Sequence, residues 1–187
     1  MDWSFSIDDA LVLGYRNALY HIDLPGGRGT FRVGERCTPD NPIDHSRVTV
    51  ITACNPYGAV LSDKANNARH QLLEQEVAHR RWSASPAVGQ DPNGRWPAEK
   101  GLAIVSATAD LEDLMMLLFG QHAVLVLTAN EPATLRWHPA SNLGAREAPT
   151  ALRRCISTLK EETNAGRPSP ALNLHAQQWH QPGWLAT

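Results

Sequence analysis

The sequence predicts an α+β fold, a two-layer domain built on a ferredoxin-like β-α-β-β-α-β core, with an N-terminal β-hairpin extending the sheet and an extra C-terminal helix. Three observations point there. From residue 48 onward the pattern runs strand, helix, strand, strand, helix, strand, and one further strand follows. Two of the intervening segments carry apolar residues at helical spacing, which gives each a face to bury against a sheet. The stretch RVTVITACN is apolar on both alternating faces, with Val48, Val50 and Thr52 on one and Ile51 and Ala53 on the other, as a central strand requires.

The elements follow in order. SIDDALVLGYR begins a short helix, with Ser6 as N-cap and Asp9 three residues on. NALYHID and TFRVGE are extended runs separated by LPGGRG, whose glycines permit a hairpin turn. CTPDNPIDH is a loop of turn formers. After the strand at residue 48 the spacing predicts a helix over 63–81 with Ser62 as N-cap. WSASPAVG is a strand that its proline assigns to an edge, QDPNGRWPAEK is a loop, and GLAIVSA is a strand. In ADLEDLMMLLFG, Leu111, Leu114, Met115 and Leu118 fall on one helical face and Gly120 stands at the C-cap. AVLVLTA is an interior strand and ATLRWHP a half-exposed one. PTALRRCISTLKEETNAG places Leu152, Cys155, Ile156 and Leu159 at helical spacing. The organisation expected is a single α+β domain over 1–140, a helical extension over 141–163, and a flexible tail over 164–187 that has three prolines and little periodicity.

A chain of 187 residues is long enough to bury a self-sufficient core. Its formal net charge of −2 and its lack of a basic run argue against nucleic acid and against a membrane surface as partners. Cys37, Cys54 and Cys155 are widely spaced, which argues against a disulfide framework and a cysteine zinc site. The histidines form no close ligand pair, so neither a metal nor a cofactor is expected. The opening stretch lacks the regions of a signal peptide and no apolar run has the length of a membrane span, so a reducing cytoplasm is the expected location.

The helix over 63–81 raises a chemical question. Ala65, Ala68, Leu72, Leu73 and Val77 share one arc, and Arg69 falls inside it, with Asn66 at its edge. A guanidinium keeps its proton, and a buried charge without a partner is strongly destabilising. Arg69 must therefore meet a carboxylate, a set of carbonyls or a bound anion, and Glu99 is the preferred internal partner. Glu76 and Arg80, near the helix end, are expected to reach water and pair at i, i+4. Asn55 ends the first core strand and Ser62 opens the helix. Such a junction offers free N–H groups and the helix dipole to an anion, although the same residue types also serve turns and caps. Gln121 is placed either to orient a ligand or to bond loop backbone. Glu99 would serve as a base if burial raised its pKa. Cys54 reads as inert core, and Trp82, Trp96 and Trp137 as packing and loop anchors rather than a base-stacking surface.

Several stretches stand in a recognisable order: Thr52-Ala53-Cys54-Asn55-Pro56, Ser62 with Asn66 and Arg69, Glu99 leading a strand, and Phe119-Gly120-Gln121-His122-Ala123 before a strand, with YRNALYHI and RVGER upstream. Together they resemble a bacterial family, domain of unknown function 3293 (DUF 3293), over roughly residues 12 to 138. Cys54, Ala65 and Lys100 depart from that pattern. The resemblance implies no activity. On the residues, the expectation is a small polar or anionic ligand bound by Asn55, Ser62, Asn66, Arg69, Glu99 and Gln121. No catalytic constellation accompanies them, which leaves open whether the protein is an enzyme. The alternative is a protein-interaction or regulatory module in which the same polar cluster is a structural brace.

Overall fold

A computed structural model describes residues 5–36, 47–144, 148–172 and 174. Helix α1 (Asp9–Asn17) leads into the hairpin β1 (Leu19–Leu24) and β2 (Gly27–Phe31). Then come β3 (Val48–Thr52), α2 (Asp63–His79), β4 (Ala84–Gln90), β5 (Glu99–Val105), α3 (Ala109–Phe119), β6 (Ala123–Leu127), β7 (Thr134–Trp137) and α4 (Ala148–Asn164). Local chemistry sets the ends. Ser62 Oγ accepts from Ala65 N–H at 3.3 Å and Thr108 Oγ1 accepts from Leu111 N–H at 3.3 Å. Asp8, rather than Ser6, caps α1, its carboxylate accepting from Leu11 N–H at 2.7 Å.

Among the described residues the seven strands form an antiparallel sheet in the order β2-β1-β4-β5-β3-β6-β7. The expected two-layer ferredoxin-like core is corrected here: the sheet curls into a half-barrel accompanied by four helices. The curl brings the segment after β2 against the turn before β7. Gly34 N–H donates to Ala133 O at 2.8 Å, Ala133 N–H donates to Glu35 O at 2.9 Å, and Arg36 bridges to Pro132. Both faces are buried as a result. On the outer face Ile51, Leu102, Ile104, Val124 and Val126 cluster with Leu73 of α2, Met115 and Leu118 of α3, and Cys155 and Leu159 of α4. The inner face encloses a second core of Tyr20, Ile22, Phe31, Val48, Val50, Ala103, Leu125 and Leu127. The physical reason lies in the hairpin. Tyr20, Ile22 and Phe31 give it an apolar face that a flat two-layer sheet would leave in water, and curling removes that face from solvent.

Three further expectations change. Strand β4 lies between β1 and β5 and is not an edge. Its proline is tolerated because the β1 ladder covers only residues 87–90, so Pro86, opposite Leu102, lies just past the last paired position, Ile22↔Ala87. Glu76 does not reach water: it is 0% exposed. Its carboxylate pairs with Arg80, which also forks onto Glu162 of α4 at 2.6 and 2.9 Å. The same carboxylate accepts from Ser169 Oγ at 2.7 Å, and Ser169 and Ala171 are buried. The start of the expected tail is therefore docked; residues 173 and 175–187, and the loop at 37–46 with Cys37, lie outside the described residues. No helix among the described residues is long and apolar enough to cross a membrane.

Replacing Glu76 removes the group on which Arg80 and Ser169 converge. Glu76→Ala should cost about 3 kcal/mol of stability in urea denaturation, as for a broken buried ion pair, and should speed amide hydrogen exchange at Ala171 and Leu172. Unchanged exchange there would show that the docking does not depend on Glu76.

Candidate functional site

The loop between β3 and α2 is held by its own side chains. Asn55 adopts a left-handed backbone, φ 47°, which asparagine tolerates better than most residues. Its N–H donates to Asn66 Oδ1 at 3.0 Å, and its Oδ1 accepts from Leu61 N–H at 2.9 Å and Asn66 Nδ2 at 3.0 Å. Its Nδ2 donates to Glu99 Oε1 at 2.6 Å. Tyr57 is also left-handed, φ 51°, and its N–H donates to Gly120 O at 2.7 Å. Gly120 ends α3 with φ 65°, and a Cβ there would lie 2.8 Å from the Tyr57 ring, so glycine is required by conformation and by space.

Arg69 is 7% exposed and turns to carbonyls rather than to Glu99. Its Nε donates to Ala53 O and its NH2 group to Phe119 O, both at 2.6 Å. Burial lowers its pKa, opposed by Cys54 and Tyr57. Gln121 Nε2 donates to Cys54 O at 2.8 Å and to Phe119 O at 3.3 Å. The end of β3 and the end of α3 are thus joined by two side chains.

In front of this junction, at the mouth of the half-barrel, lies a cavity of about 520 Å³, within the range of small-molecule sites. Its floor is Val50, Thr52, Gly101 and Leu125 on the inner face of the sheet. Leu11 and Tyr15 of α1 cover one side, with Tyr20 and Gly89 beside them. Asn55, Tyr57, Trp96, Glu99, Gln121 and His122 complete the wall. Val60 and Trp96 stand at the rim, 74% and 49% exposed. Among the described residues the lining contains the carboxylates Asp8, Asp91 and Glu99 but no lysine or arginine. Asp91 is paired with Arg95 at 3.0 Å and Asp8 caps α1. Burial raises the Glu99 pKa, and the Asn55 hydrogen bond opposes this. The Tyr15 and Tyr20 phenols are raised too, first by burial and then by the Glu99 charge, and burial takes Tyr57 up to about 12. Burial raises the Cys54 thiol, which leaves it a poor nucleophile. Among the described residues no group of three His, Cys, Asp or Glu is arranged to hold a metal.

The six residues singled out from the sequence therefore divide. Asn55, Glu99 and Gln121 line the cavity. Asn66 and Arg69 brace it from behind, and Ser62 is an exposed cap. Tyr15, Tyr20, Tyr57 and His122 escaped sequence reasoning as a site. Tyr20 lies within a strand pattern that carries no chemical signal of its own, and nothing local links Tyr15 to Glu99.

The comparison with known families bears on this junction. Residues 51–124 match the family described as protein of unknown function (DUF3293). The resemblance drawn from the sequence is shown over that stretch, which holds Asn55, Ser62, Asn66, Arg69, Glu99 and Gln121. The DUF3293 stretch stops short of α1 and β1, so Tyr15 and Tyr20, two walls of the cavity, lie outside it. No curated protein and no solved structure matches the chain.

Two predictions follow from this geometry. Arg69→Met leaves the Ala53 carbonyl and much of the Phe119 carbonyl without their donor. It should lower stability by about 3 kcal/mol in chemical denaturation, whereas a loss below about 1 kcal/mol would mean that the guanidinium is not the joint. Beside the cavity, His138 is 2% exposed, accepts from Ala140 N–H at Nδ1 (3.1 Å), and among the described residues has no hydrogen-bond partner at Nε2. Burial, with His122 nearby, takes its pKa down to about 4 from 6.5. The folded chain keeps it neutral where the unfolded chain takes up a proton. Stability from this site is fully present above pH 6.5 and is lost as pH falls from 6.5 towards 4, about 3 kcal/mol in all. Urea melts across that window should show the wild-type slope and a flatter one for His138→Phe; equal slopes would contradict the assignment.

Proposed function

We propose that the mouth of the half-barrel binds a small organic molecule, with a polar group at Glu99, Asn55 and Gln121 and an apolar or aromatic body against Tyr15, Tyr20, Tyr57 and Trp96. The observation that carries this reading is a partly buried carboxylate, held on Asn55 at 2.6 Å, that faces a cavity of about 520 Å³. An anionic ligand finds little support. The Arg69 guanidinium is turned to the carbonyls of Ala53 and Phe119, and the N–H groups of Asn55, Tyr57 and Leu61 are bonded within the protein. For Ser62, Asn66 and Arg69 we favour the bracing role. Nothing in the lining supports a particular reaction, so the proposal is one of binding.

A ligand at about 100 times its Kd stabilises by about 2.7 kcal/mol, several degrees in Tm for a chain of this size. Thermal shift against a panel of small amines, alcohols, carboxylates, phosphates and sugars should produce such a rise for at least one class. Gly89 lines the cavity, and a Cβ there meets no atom within 4 Å. Gly89→Val should therefore fold, project into the space and lose the shift. A wild-type chain that no class stabilises, or a Gly89→Val chain that responds equally, would refute the cavity as the site.

A further inference from the structure

Resting on that reading of the cavity, we infer that its ligand is an organic amine: a protonated ammonium held at Glu99 and joined to an apolar or aromatic body. The argument comes from which polar atoms the wall has left to offer. Gln121 uses its NH₂ group on the carbonyls of Cys54 and Phe119, so its amide oxygen remains. Tyr20 donates its O–H to Tyr15 O at 3.1 Å, which leaves lone pairs on the phenol oxygen. Asn55 has its NH₂ on Glu99 and its oxygen occupied by Leu61 and Asn66. Thr52 gives its hydroxyl proton to Lys100 O at 2.7 Å. Glu99 accepts from Asn55 at Oε1, and no described hydrogen bond reaches its other oxygen.

The amide donors beside Glu99, those of Asn55 and Gln121, are thus engaged inside the protein, and a carboxylate oxygen and an amide oxygen remain there. A group complementary to that end of the wall must bring donors, and an ammonium brings three with no acceptor. Charge points the same way. Among the described residues the lining holds no lysine or arginine, its carboxylate at Asp91 already has Arg95, and burial lowers the pKa of His122. Glu99 has only a neutral amide as its described hydrogen-bond partner, so a cation supplies the charge-assisted bond that the carboxylate lacks. The tyrosine and tryptophan side chains around it favour a cation over an anion by their ring quadrupoles. A carboxylate or phosphate would meet acceptors and a like charge.

The test uses the full chain and three isosteric probes, 2-phenylethylamine, 2-phenylethanol and phenylacetate, titrated by calorimetry or followed by amide NMR shifts. The amine should bind about tenfold or more tightly than the alcohol, the range of a hydrogen bond to a charged group, and phenylacetate more weakly still. Glu99→Gln should erase the preference for the amine over the alcohol, and Gly89→Val should abolish binding of both. If the alcohol or the acid equals the amine, or if the panel's hits are neutral or acidic, the amine inference falls and the cavity reading stands. If none of the probes and no member of the panel binds, both fall. Should Glu99→Gln fail to fold, the wild-type order of the three probes decides alone.

Discussion

The guanidinium of Arg69 is where three elements of this fold become one junction. It projects from the core-facing side of α2 and grips one carbonyl at the end of β3 and another at the end of α3, each at 2.6 Å. The last carbonyls of a helix have no partner within the helix and carry the negative end of its dipole. Burying that end against a sheet therefore demands a donor, and a cation is the best one. With α3 tied to β3 there, Gly120 is brought under Tyr57, and Gln121 reaches back to Cys54. The cavity wall inherits its rigidity from this contact, because Asn55 and Gln121 stand immediately beyond the two carbonyls that Arg69 holds.

The cavity itself comes from residue size along the strands. Inside the half-barrel, Thr52 faces Gly101 across β3 and β5, Ala123 begins β6, and Tyr20 faces Gly89 across β1 and β4. Four residues further along, the same inner face carries Val48 and Leu127, joined by Ile22 and Phe31, and those side chains fill the interior. One end of the curled sheet is packed and the other is left open, with α1 lying across it. Gly101 also lets β3 and β5 approach closely: a Cβ there would lie 2.5 Å from Ile51 O. A small residue at this point serves both the pairing and the space.

What could be read from the sequence was what is local. Helix α2 and its Ser62 cap, α3 with Gly120 behind it, and the two-faced apolar pattern of β3 follow from capping chemistry and periodicity, which a short window contains. That Arg69 must meet a carboxylate, a set of carbonyls or a bound anion also followed from its place in the apolar arc. Its partners did not, because the carbonyls of Ala53 and Phe119 are invisible to side-chain patterning. The curl escaped for a related reason. It is sealed by backbone bonds between Gly34, Glu35 and Ala133, roughly a hundred residues apart in sequence, and a strand pattern of period 2 reads the same in a flat sheet and a closed one. The proline of β4 misled because its cost depends on where the pairing with a neighbouring strand stops. Glu76 misled because the cover over it comes from Ser169 and Ala171, beyond α4.

Bracing and binding, set against each other in the sequence as rival roles for one polar cluster, are connected in the reading proposed above. Every hydrogen bond that fixes the loop after β3 uses a particular end of a particular group. Asn55 directs its amide donors at Glu99, Gln121 directs its own at Cys54 and Phe119, and Arg69 directs its own at two carbonyls. Buried backbone carbonyls are numerous at a strand end and a helix C-terminus, and they draw in whatever donors stand near. The part of the wall beside Glu99 therefore has its amide donors turned inward and its oxygens left over. On the proposed reading, the brace sets the polarity beside Glu99, and on that ground this end of the cavity has its chemical complement in a cation.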